Sequence, residues 1–491
     1  MRVTVHEVRL TQRHVWRSAR EAIPVQPGLV VEATHDGRSG FGEAAAFMTA
    51  SYRSELPQLH ADLRRVAPLL AAVDPYDDPA RTWRTLADAL PESPFVLAAL
   101  DSAVHDLHAR LRGVPLWESL GLDRPQGLRS SFSIGIDTES VMVHKLDERP
   151  GWPAYKVKLA DPGDLTTLKA LRQHTDAPFY VDGNCGWEHA PTLAALGQLW
   201  DLGVRLLEQP YPRDRWRHAI ELKAVSPFPV IADESMTGPG DLTACARAFH
   251  GVNVKPMKAG GITPSLDILR RARERGLITM LGCMPESAAG VSATAHLGGL
   301  VDHLDVDVLD LLAVNTGSGP VLDGTGRVTL PDRTGSGYRP DPQAAGWSVR
   351  ATSVDQIRPL RDLLPVTTEA GFPHAEADLL PSSRHYVALE AGRTVGTVTV
   401  HRERFPDADR DTDGPRGDLW RIRDLVTTPK ARGTGAGTAL LRTALTHTAL
   451  AGATTVWCHA PGPAAGFLRR GGFTDAGRPG TGPHLMHWSP R

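Results

Sequence analysis

YKVKL (155–159), FYVDGN (179–184), RLLEQP (205–210), PVIADES (229–235) and GVNVKPMK (251–258) succeed one another at intervals of about 25 residues, each a short apolar run that closes on charged or amide side chains. FSIGI (132–136) precedes the series, and ITMLGCM (278–284) and HLDVDVL (303–309) extend it to eight. Segments such as DLTTLKALRQHT and SLDILRRARERG lie between such runs, with apolar residues near helical spacing. Short buried strands alternating with helices predict parallel β/α units, and eight units at this period predict a closed (β/α) barrel.

Ionisable residues recur at corresponding places in this rhythm. Lys158, Asp182, Glu208, Asp233 and Lys258 are 24, 26, 25 and 25 residues apart, each near the C-terminal end of its run. In a barrel those ends form one mouth, where active sites are assembled from different strands. Three converging carboxylates between two lysines would repel one another unless a cation sat among them, and an oxygen-only ligand set suits Mg2+. Independent solvated charges would need spacing, residue type and position to agree by accident.

The basic residues sharpen the reading, because only eight of 54 are lysine and four of those eight fall in two clusters, Lys156-Val-Lys158 and Lys255-Pro-Met-Lys258. Arginine cannot exchange a proton near neutral pH, whereas lysine can when its surroundings lower its proton affinity. Lys156 and Lys158 share a strand face and are expected to lower each other's affinity. Removal of a proton beside a carboxylate gives an enediolate, which needs a divalent cation. Lysines on opposite faces of that intermediate would racemise or epimerise the carbon.

Composition excludes several other classes. The 491 residues, 41% hydrophobic and 22% charged, contain no uninterrupted apolar run of membrane-spanning length, and length alone predicts two to four domains. The charged, alternating N-terminus does not read as a secretory leader, so a soluble cytoplasmic protein is expected. Cys185, Cys245, Cys283 and Cys458 form no CxxC pair, which argues for buried thiols over a disulfide framework or zinc site. A net charge of −2 gives no field for nucleic acid or an anionic membrane. A homo-oligomer is left open.

YKVKL, VDGN, LEQP, IADES, NVKPMKAGG, GCMPES and the DVD of Asp305 and Asp307 together resemble the enolase superfamily, and within it the dipeptide epimerases of the muconate-lactonising subgroup. The resemblance implies an α+β capping domain over 1–125, with GFGEAA (40–45) and ALDSAVHDL (99–107), a barrel over 126–320, and a return segment over 321–340. It implies Mg2+ on Asp182, Glu208 and Asp233, Lys158 and Lys258 as acid/base catalysts, and Lys156, Cys283, Met284, Asp305 and Asp307 around the substrate. The paired Asp305 and Asp307 would receive the α-ammonium of a dipeptide of the L-Ala-D/L-Glu kind. Two departures bear on substrate reach: Val308, Leu309 and Asp310 follow Asp307 where glycine is usual, and Pro256 interrupts the second lysine cluster. In the capping loop (14–25), Arg17 and Arg20 are candidates for an acidic side chain, and Trp16 for loop contact or cap core.

A Pro- and Gly-rich link (341–346) leads to a separate unit over 347–491. Its ARGTGAGTALLRTAL segment reads as a glycine-rich turn opening a helix, where backbone N–H groups can face a pyrophosphate. Arg432, Gly433, Thr434, Gly435, Ala436, Gly437 and Thr438 resemble the acyl-CoA loop of GNAT N-acetyltransferases, and WCHAPGPAAGFLRRGGF resembles their closing strand and helix. The resemblance implies acetyl-CoA or another acyl-CoA on that loop and on Leu425 and Val426. Leu468 stands where many members carry the tyrosine acid, and His459 and Asp424 are alternative proton carriers. The expected whole is an Mg2+-dependent dipeptide epimerase fused to an N-acetyltransferase. Three alternatives stay open: an N-acyl amino-acid racemase supplied by the acetyltransferase, a syn-dehydratase or cycloisomerase on the same scaffold, and an epimerase whose C-terminal unit senses acyl-CoA without catalysis.

Overall fold

The computed structural model describes residues 1–17, 22–49, 52–361, 377–405, 418–477 and 484–490. The chain opens with three antiparallel strands, β1 (Arg2–Arg17), β2 (Ala22–His35) and β3 (Arg38–Ala45), followed by helices α1 (Leu56–Ala71), α2 (Pro79–Ala89) and α3 (Pro94–Arg112). The GFGEAA glycines explain how β3 lies on α3. A Cβ on Gly40 would come within 2.2 Å of Leu107 N, and one on Gly42 within 2.1 Å of Ala99 O. Only glycine permits that approach.

The eight barrel strands coincide with the sequence runs, β7 starting one residue early: β4 (Phe132–Ile134), β5 (Tyr155–Lys158), β6 (Phe179–Asp182), β7 (Val204–Glu208), β8 (Val230–Ala232), β9 (Gly251–Val254), β10 (Ile278–Gly282) and β11 (His303–Asp305). They pair in parallel in sequence order, and a bridge from Ser130 to Leu304 links the last strand to the entrance of the first. Short strands β12 (Gly317–Ser318), β13 (Val321–Leu322), β14 (Val328–Thr329) and β15 (Arg339–Pro340) then return the chain past the cap. There Ser336 N donates to Asp106 on α3 at 2.6 Å, and the Phe41 and Tyr338 rings meet edge to face.

Downstream lie β16 (Trp347–Thr352), β17 (Arg384–Glu390), β18 (Arg393–Arg402), β19 (Leu419–Thr427), β20 (Thr455–Ala460), β21 (Thr474–Gly477) and β22 (His484–Trp488), with a helix over Ala436–Leu450. The C-terminal unit has its own apolar core around Tyr386, Val398, Ile422, Leu440 and Val456. It is not a separate sheet. β16 pairs antiparallel with β1, so one ten-stranded sheet runs β21-β22-β20-β19-β18-β17-β16-β1-β2-β3 through both units. The expected link is held as well: Arg9 N donates to Gly346 O at 2.9 Å, Gly346 N to Asn315 O at 3.0 Å, and the Trp347 indole to Asp341 O at 2.7 Å.

A buried polar cluster seals the junction. Glu7 on β1 accepts from Arg442 Nε at 2.9 Å and from His60 Nε2 on α1 at 3.1 Å. Thr446, one turn beyond Arg442, meets His60 Nδ1 at 2.9 Å and accepts from Arg64 at 3.2 Å. Burial lowers the His60 pKa, so the imidazole is neutral, with its Nε2 proton directed at Glu7 and its Nδ1 receiving the threonine proton. Burial would raise the Glu7 pKa, but the His60 hydrogen bond and the Arg442 charge outweigh it and hold the carboxyl below its usual range. Among the described residues no helix is long and apolar enough to cross a membrane.

Candidate active site

The barrel mouth and the cap enclose a cavity of about 990 Å³ including its opening, with Lys156, Lys158, Asn184, Asp233, Glu234, Lys255, Cys283, Met284, Asp305 and Asp307 on its wall. The cap contributes Gln12 and Ile23 from the β1–β2 hairpin, and Phe47, Thr49 and Tyr52 from the segment after β3. A bridge from Gln12 to Leu312 and a hydrogen bond from Ala313 N to Thr11 O fasten the hairpin to the end of the barrel. Arg20 lies outside the described residues, as do the side chains of Trp16 and Arg17.

Strand register places the carboxylates side by side, because Lys158 stands opposite Asp182 and Asp182 opposite Glu208. Lys158 Nζ sits 2.8 Å from both Asp182 Oδ2 and Asn184 Oδ1. Lys156 Nζ reaches Asp305 at 2.7 Å, Glu208 at 2.8 Å and Asp182 at 3.5 Å. Burial alone would lower the Lys156 pKa, yet these carboxylates raise it well above 10.5. Mutual depression of Lys156 and Lys158 is therefore not what governs Lys156.

The second lysine cluster differs from the expectation in a consequential way. Strand β9 ends at Val254, and Pro256 opens a helical turn over Pro256–Ala259. Lys255, the first residue past the strand, lines the cavity and meets Asp233 Oδ2 at 2.8 Å. Lys258 is not among the lining residues; it is 1% exposed and donates to the main-chain and carboxylate oxygens of Asp233. Burial lowers the Lys258 pKa, whereas the Asp233 charge outweighs burial and raises that of Lys255. Proton affinity would thus favour Lys258 as a base, but a base must first reach its proton, and Lys255 has the access.

Gln209, the amide of LEQP, orders the next strand end: its Oε1 accepts from Asp233 N at 2.9 Å and Ser235 N at 3.1 Å. Glu208 receives Asn253 Nδ2 at 2.9 Å on Oε1. Its Oε2 makes no hydrogen bond, although it faces the Lys156 charge. Burial, with Asp182 and Asp233 nearby, raises Glu208 to a pKa of about 7, while Lys255, Lys258 and Lys156 outweigh burial to hold Asp233 far below its usual range. Glu234, absent from the sequence expectation, is also buried beside Asp233 and Asp182 and raised to about 7.

Among the described residues no three His, Cys, Asp or Glu side chains stand as a ready-made metal cage, because lysine ammonium groups reach between Asp182, Glu208 and Asp233. The donor chemistry nevertheless fits a hard divalent cation: these are oxygen ligands only, and the buried Glu208 Oε2, with no hydrogen bond, has a positive charge, the Lys156 ammonium, as its neighbour. A divalent cation beside Glu208 would favour its ionised form, which burial otherwise disfavours.

Asp305 ends β11, whereas Asp307 stands beyond the strand at the start of the turn Val308–Leu311. They are thus not two positions of one strand, yet both carboxylates line the cavity. Ser131 Oγ donates to Asp305 at 2.8 Å, and Ser133 N to Asp307 at 2.5 Å. Burial and the neighbouring Asp305 raise Asp307 to a pKa of about 8. Asp310 faces away, paired with Arg149 at 2.6 Å.

In the C-terminal unit, β19 and β20 pair in parallel only from Leu419 to Arg421 and from Thr455 to Trp457. Beyond those residues the paired register ends, leaving the later parts of both strands available to flank a ligand. Leu425 and Val426 lie on this part of β19, and Gly435 starts the helix Ala436–Leu450. Gly433 (φ 78°) and Gly435 (φ 94°) adopt backbone conformations that favour glycine, and the amides of the helix's first turn lack intrahelical acceptors. Arg432, Thr434, Ala436, Gly437 and Thr438 lie in or beside this turn. Leu468 is buried in the core.

The mandelate racemase / muconate lactonizing enzyme N-terminal domain model matches residues 1–121, and the enolase C-terminal domain-like model matches 141–344. The acetyltransferase (GNAT) family model matches 355–473. An L-Ala-D/L-amino acid epimerase of Flavobacterium johnsoniae is 38% identical over 337 residues, covering 69% of this chain and 99% of that protein. The L-Ala-D/L-Glu epimerase of Bacteroides thetaiotaomicron is 33% identical, covering 69% and 87%. Among solved structures, a Methylococcus capsulatus dipeptide epimerase complexed with Mg and the dipeptide L-Arg-D-Lys is 31% identical, with a TM-score of 0.61 and coverage of 69% and 99%.

Proposed function

Because the chain belongs to the mandelate racemase / muconate lactonizing enzyme family of enolase-like proteins and carries a GNAT-family domain at its C-terminus, we propose that it epimerises dipeptides with Mg2+ and transfers an acyl group from acyl-CoA to an amine. The observation that carries the first activity is the placement of two lysines across the barrel. Lys158 ends β5 and Lys255 follows β9, four strands apart in a ring of eight, so they face the cavity from opposite sides.

Asp182, Glu208 and Asp233 would hold Mg2+, which supplies positive charge for the enediolate of the substrate carboxylate. Asp305 and Asp307 receive the α-ammonium and thereby set the distance from the dipeptide's N-terminus to its C-terminal α-carbon. Lys158 Nζ takes the α-proton from one face while Lys255 Nζ delivers a proton to the other, and the reverse direction exchanges their roles. Asn184 and Asp182 fix Lys158 Nζ in place. Gln209 fixes the backbone of Asp233, which in turn orients Lys255. Cys283 and Met284 form part of the wall beside the substrate.

Proton NMR in D2O with Mg2+ and a set of L,L-dipeptides tests this reading. It expects loss of the C-terminal α-proton signal from free dipeptides and none from N-acetyl amino acids, and the converse pattern would replace it with N-acyl amino-acid racemisation. For the second activity, the 432–438 turn would hold the pyrophosphate of acyl-CoA and the part of β19 carrying Leu425 and Val426 its pantetheine arm. Calorimetric titration with acetyl-CoA tests this site, with Gly435→Val expected to lose binding because valine does not tolerate the positive φ.

A further inference from the structure

The two units share a continuous row of paired residues. Glu7 pairs with Val349, Val349 with Ala388, Ala388 with Gly396 and Gly396 with Thr427, spanning β1, β16, β17, β18 and β19. Every pairing in this series is antiparallel, so β1 and β19 run in the same direction. Beyond the row, β1 continues to Gln12 on the dipeptide cavity, while β19 ends at Thr427 and enters the acyl-CoA turn. Both segments thus follow the row in the same strand direction, and within the row β1 and β19 are four strand spacings of about 4.8 Å apart. The Glu7, His60, Arg442 and Thr446 cluster fastens the helix that starts at the acyl-CoA turn to the cap that closes the cavity.

The same chemical group is central to both sites. Asp305 and Asp307 suit a protonated amine, because two adjacent carboxylates attract an ammonium and gain nothing from an amide nitrogen. A GNAT-type site consumes an amine. We propose that the acyl acceptor is the free α-amine of the same dipeptide that the barrel epimerises, and that acetylation withdraws this dipeptide from the barrel. The inference rests on the epimerase reading and adds the acceptor's identity.

In the transfer step the neutral amine nitrogen attacks the thioester carbonyl carbon. A C–N bond forms, the C–S bond breaks with its electron pair leaving on sulfur, and the proton lost by nitrogen passes through solvent to the CoA thiolate. The products are the N-acetyl dipeptide and free CoA. Epimerisation only equilibrates two diastereomers, whereas formation of an amide from a thioester runs downhill and removes the positive charge that Asp305 and Asp307 hold. Both diastereomers bear that amine, so either can be the acceptor.

The full chain with Mg2+ is assayed in parallel for α-proton exchange without acetyl-CoA and for CoA thiol release with it, across one dipeptide library, spermidine and a lysine side-chain amine. The expected result is CoA release with those dipeptides that exchange, at least about tenfold faster than with the other amines, and an N-acetyl dipeptide whose exchange falls at least about 100-fold. Exchange without CoA release from the exchanging dipeptides, CoA release preferring the other amines, or undiminished exchange in the N-acetyl dipeptide overturns the inference and leaves the epimerase in place. Absence of exchange in every free dipeptide instead overturns the reading beneath it.

Discussion

Glu7 and Arg442, at opposite ends of the chain, form a buried ion pair at 2.7 Å that belongs equally to the cap and to the C-terminal domain. Removing the arginine would leave a carboxylate that is 3% exposed without its cation. Loss of one partner from such a pair costs about 3 kcal/mol or more. Arg442→Ala should lower stability by that order, read as a shift in the urea midpoint. Because the sheet is continuous, barrel-cap and C-terminal fluorescence probes should move together.

Acid should loosen the same junction. His60 is held neutral, its pKa below the ordinary 6.5, so unfolding lets it take up a proton once the pH falls below that value. Glu7 lies below its ordinary 4.5 and adds a second loss of stability as the pH falls through that region. Both contributions are present at neutral pH and decline on acidification. Stability measured from pH 8 to 4 should begin to fall near 6.5, and His60→Gln should flatten that first step.

The two lysine candidates on the far side of the barrel separate by stereochemistry. Lys158→Ala and Lys255→Ala should each abolish epimerisation, with losses of about 100- to 10,000-fold. Each should retain α-proton exchange from one epimer only, because the surviving lysine still serves its own face. Lys258→Met should depress exchange from both epimers alike, since Lys258 acts on Asp233 and not on the substrate. An exchange pattern specific to one epimer in Lys258→Met would restore Lys258 as the catalyst.

Glu43 offers a test at a distance from the chemistry. From β3 of the cap it accepts from Ser287 N at 3.0 Å and Gly290 N at 3.2 Å, at the start of the helix Ala288–Ala295, and so holds the turn carrying Cys283 and Met284. Glu43→Ala leaves the buried Ser287 N without its acceptor, at a cost of about 1–3 kcal/mol. Its dipeptide KM should rise while the stereochemical course of exchange stays that of the unaltered chain.

Chelation should stop exchange, and Mg2+ should restore it. Asp182→Asn and Glu208→Gln should require higher Mg2+ for half-maximal exchange, by at least about tenfold. Fluorescence or calorimetric titration of the same variants should show the weaker binding without any substrate present.

The eight barrel strands and the row of strand-end charges were legible because a β/α unit repeats its hydrophobic signal at a nearly constant interval. At one point the interval and the cavity wall differ. Counting 25 residues beyond Asp233 reaches Lys258, but β9 has already ended and Pro256 has begun a helical turn. The proline itself was the available signal, since it favours the first turn of a helix. Asn184, Gln209 and Glu234 repeat at the same 25-residue interval, one or two positions past the carboxylates, but what each holds emerges only from contacts. The junction was the least visible feature, because β1 and β16 are some 340 residues apart and neither strand's sequence names its partner.

In the three-stranded cap sheet, β1 would be an outer strand with unpaired N–H and C=O groups facing water, a template for other chains to add to. β16 occupies that position opposite Glu7 and Val8, and Gly346 O takes the amide of Arg9. The C-terminal domain therefore also acts as an edge guard for the cap. A chain ended after residue 340 should expose this border, so that its first failure is self-association through β1, with the barrel chemistry lost to aggregation before the barrel itself unfolds.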